Sequence, residues 1–261
     1  MDIDAYLARI GYSGSREPSL ETLTGMQRSH RLAVPFESLD IHIGRRLSID
    51  ADDLFEKIVR RRRGGWCHEL NGLWARALRD VGFEVDVVGA QVVSTTSNNQ
   101  PLGHCTTIVH LDEPWWSDVG FGVRPRRPVR LLASGPQLIG DWEIEFSNDG
   151  DIWDMRSNVP GAPQQLGLRF TLQPRDFEEF RETMEWQQLS PESQFTQRPV
   201  CALYTEDGRI TLVADTLTIE RGGQREQHVA ASEQELDEFL LGYFGIDLGE
   251  HSWRGFPWRA I

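Results

Sequence analysis

The stretch Arg62-Arg63-Gly64-Gly65-Trp66-Cys67-His68-Glu69-Leu70-Asn71 holds the residue types best suited to covalent chemistry. Two glycines let a backbone turn tightly and approach other groups closely, and the residues after them have helical spacing. Cys67 therefore falls at a helix start, where a thiolate faces the positive end of the dipole. A free thiol has a pKa near about 8.5, and a helix N-terminus with a neighbouring histidinium lowers it by several units. A nucleophile of this kind needs a base within hydrogen-bond reach and a third group to orient that base. His104, in Leu102-Gly103-His104-Cys105-Thr106, stands at the mouth of a β-branched run, and Asp118 ends the run Trp115-Trp116-Ser117. A hairpin turning near residues 112–114 would set His104 beside Asp118. Taken singly, each residue has a plainer reading: Cys67 as a small buried apolar side chain, His104 as a strand-end histidine, Asp118 as a turn former.

The elements that must position these groups are legible from periodicity. Asp2 is predicted to cap a short helix carrying Ile3, Tyr6, Leu7 and Ile10, stopped by Gly11. A second helix starts near Ser19 and must end before Pro35. A third runs through Leu54, Phe55, Ile58 and Val59, and a fourth from Trp66 to Val81 puts Leu70, Leu73, Trp74, Ala77 and Leu78 on one face, with Gly82 closing it. From Glu84 the period becomes two: Val85, Val87, Val92-Val93, Thr106–Val109 and Trp115-Trp116 read as strands, and Asp141–Phe146 and Ile152–Met155 as a hairpin about Ser147-Asn148-Asp149-Gly150. A short helix over 175–188 follows. Further strands then turn at Glu206-Asp207-Gly208 and Arg221-Gly222-Gly223, and Ser232 with Glu235 forms a capping box for a last helix. Helices, then sheet, then a mixed unit predict an α+β chain with segregated elements.

Composition bounds the function. The chain has 261 residues, 39% hydrophobic and 26% charged, an ordinary globular mixture. Its formal net charge of −13 opposes binding to a phosphate backbone, so no nucleic-acid partner is expected. No run approaches the roughly 20 apolar residues of a bilayer-crossing helix, and Met1-Asp2-Ile3-Asp4 does not begin like a signal peptide, so no membrane partner and a cytoplasmic location are expected. Cys67, Cys105 and Cys201 form an odd set without CxxC spacing, which fits free thiols in a reducing compartment. Lys57 is the only lysine, a bias that carries no functional signal in itself.

His30-Arg31-Leu32-Ala33-Val34-Pro35-Phe36-Glu37-Ser38-Leu39-Asp40, then Arg63-Gly64-Gly65-Trp66-Cys67, Gly103-His104 and Asp118-Val119-Gly120-Phe121-Gly122 together resemble the arylamine N-acetyltransferases in order and approximate spacing. Ser193–Thr196 and Asp207–Leu212 resemble that family's later segments, so the likeness runs nearly end to end. It implies an N-terminal helical bundle (1–82) bearing the nucleophile, a central β-barrel (83–190) bearing the base and orienting Asp, and a C-terminal α/β lid (191–261), an arrangement similar to the cysteine proteinases. By the same likeness Cys67 is the acetyl acceptor, His104 the base and Asp118 the group that fixes the imidazole. Phe36, Phe121 and Val92 would line an arylamine site, and Gly122 would let the tail of coenzyme A pass. Acetyl-CoA is then a co-substrate, with no cofactor bound permanently and no metal, and the small-molecule partner is an arylamine or hydrazine. The CoA phosphates need local positive charge, for which Arg124, Arg126, Arg127 and Arg130, or Arg60 to Arg63, are candidates. Ser38 stands where Asn is common, His68 follows the nucleophile and Cys105 adjoins His104.

Other readings stay open at this level. A cysteine hydrolase of transglutaminase or peptidase type shares the Cys, His, Asp order, and a biosynthetic amide synthase would use a larger acyl donor. A zinc site from Cys67, His104, Cys105 and His110 lacks CxxC or HExxH spacing. A ligand-gripping module would have to use nine tryptophans whose scatter favours packing.

Overall fold

Asp2 and Ser19 open the first two helices as caps: their side chains accept from Ala5 N at 3.0 Å and Thr22 N at 3.2 Å. The computed structural model describes residues 1–93, 100–122, 126–140, 142–158 and 167–253. Helix α1 (Ile3–Ile10) stops at Gly11, which is left-handed, and α2 (Leu20–Ala33) stops before Pro35. Then come two elements too short to show any period, strand β1 (Phe36–Glu37) and helix α3 (Leu39–His42). Helix α4 (Ala51–Phe55) runs into a π-helical turn (Glu56–Arg60), and α5 (Cys67–Val81) is closed by Gly82 at φ 110°. Leu70, Leu73, Trp74, Ala77 and Leu78 are buried along α5, the face expected from their spacing.

The middle of the chain is antiparallel sheet. Strands β2 (Glu84–Val93), β3 (His104–His110), β4 (Pro114–Ser117), β5 (Val129–Arg130), β6 (Gln137–Ile139), β7 (Trp142–Asp149), β8 (Ile152–Asn158) and β9 (Gly167–Pro174) form one eight-stranded sheet in the order β5-β4-β3-β2-β9-β8-β7-β6. The sheet is barrel-like and nearly closed. Its edge strands β5 and β6 meet through one side chain: the Gln137 amide donates to Arg130 O at 2.8 Å and accepts from Arg130 N at 3.2 Å. The β7–β8 turn is tighter than expected, because Asn148 and Asp149 pair with Trp153 and Ile152, leaving Gly150 and Asp151 to turn. Asp141 lies outside the described residues. Strand β9 was not anticipated, although Leu168 and Phe170 point inward while Arg169 faces out to Asp154.

The expected helix over 175–188 is a 3-10 turn (Phe177–Phe180) leading into α6 (Arg181–Leu189). After α7 (Gln194–Gln197), strands β10 (Val200–Thr205), β11 (Gly208–Val213), β12 (Thr216–Arg221) and β13 (Gln224–Val229) meander, and α8 (Glu233–Phe244) follows. The capping box on α8 is only half formed. Ser232 accepts from Glu235 N, but the Glu235 carboxylate takes Ala231 N at 2.7 Å, one residue ahead of the cap. Strand β1 pairs with β10 and so completes a five-stranded sheet from the other end of the chain. Helix and sheet are segregated, as in an α+β chain. No helix among the described residues is long and apolar enough to cross a membrane.

Behind the start of α5 lies a buried ionic cluster. Lys57 Nζ, from the π-helical turn, reaches both oxygens of Glu69 (2.9 and 2.8 Å) and Asp40 Oδ2 (2.8 Å), and Arg63 donates to Glu37 (2.7 Å) and Asp40 (2.9 Å). Burial opposes every one of these charges. The facing carboxylates nevertheless hold Lys57 and Arg63 above their ordinary values, and the two cations hold Asp40 below its own. Glu69 is pushed up to about 7 by burial, against the pull of Lys57. Such a cluster stabilises little net, but removing one member strands the others. Lys57→Met should therefore lower unfolding free energy by about 3–5 kcal/mol in urea denaturation; a loss under about 1 kcal/mol would show that the cluster is solvated.

Candidate active site

Gly64 and Gly65 serve close approach more than turning. A β-carbon on Gly64 would sit 2.2 Å from Pro35 O, and Gly65 bonds the residues on either side of Phe36, donating to Pro35 O (3.2 Å) and accepting from Glu37 N (2.9 Å). The left-handed residue of the loop is Arg62, at φ 52°. Glu69 accepts from Trp66 N at 3.1 Å, so the Lys57 cluster also holds the first turn of α5 and with it Cys67, the first helical residue.

His104 opens β3 and Asp118 directly follows β4, and the register Thr107↔Ser117 and Ile108↔Trp116 brings them together. His104 Nε2 donates to Asp118 Oδ2 at 2.7 Å, leaving Nδ1 for the Cys67 sulfur, to which His104 is also hydrogen-bonded. The other carboxylate oxygen, Oδ1, accepts from Gly120 N (2.8 Å), Phe121 N (2.7 Å) and Asn71 Nδ2 (3.0 Å). His68 Nδ1 also lies 3.4 Å from the Cys67 sulfur.

The electrostatics follow from these contacts. Burial raises the Cys67 thiol, but His68 and His104 outweigh it and bring it to about 6. Burial lowers His104, but the Asp118 charge and hydrogen bond, aided by Cys67, lift it to about 10. Asp118 stays below its ordinary value despite burial because His104, Asn71 and their hydrogen bonds favour the ionised form. With the thiol lowered and the imidazole raised, neutral pH favours a thiolate–imidazolium pair backed by a carboxylate.

Several supports were not singled out from sequence. Asn71 lies in the quoted motif, and its side chain ties three places together: it donates to Asp118 and Cys105 O (2.7 Å) and accepts from Val119 N (3.0 Å). Arg31 reaches across from α2 to the carbonyls of Val119 (2.7 Å) and Gly122 and lies over the Tyr204 ring. Gly120 packs so closely that an added β-carbon would lie 2.7 Å from Cys67 Cα.

The Phe121 ring lies 5.0 Å from the His104 ring, tilted by 54°, and Val92 packs against the same apolar cluster as Phe121. Phe36 bridges to Gly65, two residues before Cys67, and Gly122, at φ 45°, borders open space. Of the candidate arginines, Arg63 is spent on the buried cluster, Arg60 pairs with Glu56 and Arg130 with Glu113. Arg126 donates to Thr205 and Glu206 carbonyls and Arg127 to Leu138 O, while Arg124 lies outside the described residues. His110 pairs with Asp86 at the far end of β3 from His104, so the four residues of the zinc reading do not gather.

A family model described as N-acetyltransferase matches residues 19–253. The chain is 34% identical to arylamine N-acetyltransferase 1 of Homo sapiens, covering 95% of each. Among solved structures it is similar to the arylamine N-acetyltransferase of Salmonella typhimurium (TM-score 0.89, 30% identity, covering 95% of this chain and 92% of that one). It is also similar to the Mycobacterium marinum enzyme solved in complex with CoA (TM-score 0.87, 29% identity, 95% of each).

Alkylation of Cys67 by iodoacetamide should rise with a midpoint near about 6 and level off through neutral pH, because the thiolate already predominates there. Asp118→Asn removes the charge that keeps His104 protonated and should move that midpoint upward. A wild-type midpoint near about 8.5 would mean that the imidazoles do not ionise the sulfur.

Proposed function

The chain belongs to the arylamine N-acetyltransferase family, and from that premise we propose that it moves an acetyl group from acetyl-CoA to aromatic amines and hydrazines by way of Cys67. The observation that carries the proposal is the buried sulfur held beside an imidazole that itself donates to a carboxylate.

In the first half-reaction the Cys67 thiolate attacks the thioester carbonyl, the bond from that carbon to the CoA sulfur breaks, and CoA leaves with a proton from the His104 imidazolium. One thioester replaces another, so this half is nearly balanced. In the second, the amine nitrogen attacks the acetyl carbonyl, neutral His104 takes a proton from nitrogen, and the bond to Cys67 breaks to restore the thiolate. An amide is far more stable than a thioester, so this step drives the cycle. Asp118 stabilises the imidazolium in each passage. The developing oxyanion sits at the start of α5, where the first backbone N–H groups lack acceptors inside the helix. Two successive acceptors on one sulfur make the kinetics ping-pong.

Phe36, Phe121 and Val92 line the acceptor pocket in this reading, their apolar and aromatic surfaces favouring a flat ring, and Gly122 makes room for the CoA tail. The working division is a helical unit (1–82), a barrel (83–190) and a lid (191–261), in an arrangement like that of cysteine proteinases. The free, buried Cys67, Cys105 and Cys201 suit a reducing cytoplasm.

Mixed with acetyl-CoA and no amine, the wild-type protein should gain one acetyl group by intact-mass measurement and release it as an amide when an arylamine is added. Cys67→Ala should gain none; acetylation of that variant at an equal rate would remove Cys67 from the mechanism.

A further inference from the structure

His68 occupies the position directly after the nucleophile and is completely buried, with the Trp66 and Phe180 rings 5.6 and 5.4 Å from its own. Packing alone asks only for an aromatic ring there. Both of its nitrogens are engaged, however. Nε2 lies 3.1 Å from Leu102 O, and since a carbonyl can only accept, Nε2 carries the hydrogen. In the neutral ring Nδ1 is then a lone pair, and it lies 3.4 Å from the Cys67 sulfur.

The acceptor on the other side of the ring is held in place independently. Leu102 has φ 56°, the left-handed region, which is unfavourable for a non-glycine residue and persists only where its surroundings impose it. Here they do. Gly103 N donates to Gln100 O (3.0 Å), Gln187 donates to Gly103 O (2.9 Å), and the Leu102 side chain fills the space over Gly89, where an added β-carbon would meet it at 2.2 Å. The strained turn thus presents its carbonyl to His68 much as Asp118 presents its carboxylate to His104.

We propose that His68 is a second catalytic residue, whose Nδ1 shares the Cys67 proton with His104 so that either imidazole can ionise the nucleophile. The S–H bond breaks toward the Nδ1 lone pair, the electron pair stays on sulfur, and the new N–H remains directed at the thiolate. When the thioester carbon–sulfur bond breaks, the departing CoA sulfur takes the one shared proton from whichever imidazole holds it, His104 or His68. The two imidazoles are not equivalent. The Asp118 carboxylate stands behind His104, whereas the Leu102 carbonyl stands behind His68. The other ionisable groups around the pair are Glu69 on α5 with Lys57 behind it, Cys105 on β3 and Asp118 after β4; Trp66 and Phe180 bring no charge.

This assignment rests on the acyl-transfer reading, but its first test does not use acetyl-CoA. His68→Phe keeps an aromatic ring in the same packing, and should shift the midpoint of Cys67 alkylation upward by about one pH unit, a tenfold fall in the thiolate-to-thiol ratio at any given pH near the midpoint. An unchanged midpoint overturns the proposal and leaves the acetyltransferase reading intact. Where His68→Phe does not yield folded protein, His68→Gln decides by the same measurement. The second test uses single-turnover acetylation. His104→Gln should retain slow loading of Cys67, and adding His68→Phe should reduce it by a further factor of about 10². Equal rates in the single and double variants would overturn the role. Failure of the wild type to accept acetyl from acetyl-CoA would sink the acyl-transfer reading alone, since the alkylation midpoint is read without it.

Discussion

A thiolate–imidazolium pair buried against a carboxylate is the constraint around which the rest of this molecule is arranged. Three ionised groups without water are tolerable only if each finds a partner. Asp118 meets that requirement through two backbone N–H groups, the Asn71 amide and His104, and His104 in turn meets Cys67. Charge-assisted hydrogen bonds of this kind are the strong ones, and they explain why the sulfur is ionised in a place that would otherwise protonate it.

Those partners come from separated parts of the chain, so the fold must fix their relative positions. The start of α5 supplies Cys67 and Asn71, the β3–β4 hairpin supplies His104 and Asp118, and α2 supplies Arg31, which clamps the carbonyls after Asp118. Beneath them Trp74 Nε1 donates to Ser117 Oγ, which donates to Gln27, linking α5, β4 and α2 in one buried relay. Gly120 lets the Asp118 loop press onto the Cys67 backbone, a distance no side chain would permit. The Lys57 cluster holds the same helix start from behind through Glu69. A second cluster of charges therefore supports the first without touching the sulfur.

Net charge and local charge point in different directions here. A chain at −13 buries its sole lysine, Lys57, beside Arg63, where three carboxylates face the pair. The lysine, unremarkable by composition, is the residue on which the carboxylates of α3 and α5 converge. Its three ammonium donors suit partners in different directions, whereas a planar guanidinium suits a fork such as Arg63 offers to Glu37.

Local signals were readable in the sequence because local physics makes them. Caps at Asp2 and Ser19, the stops at Gly11 and Gly82, the apolar face of α5, the period-two strands and the hairpin joining His104 to Asp118 each depend on residues a few positions apart. The family resemblance added the roles of Cys67, His104 and Asp118. What only the folded chain decided is everything paired across long separations. A two-residue strand such as β1 has no period, so its place beside β10 was invisible, and Glu235 could choose Ala231 over Ser232 only through the path of the loop. The fate of Lys57, the reach of Arg31 and the aim of His68 follow from packing that brings distant groups to within a hydrogen bond, and residue type alone carries no record of direction.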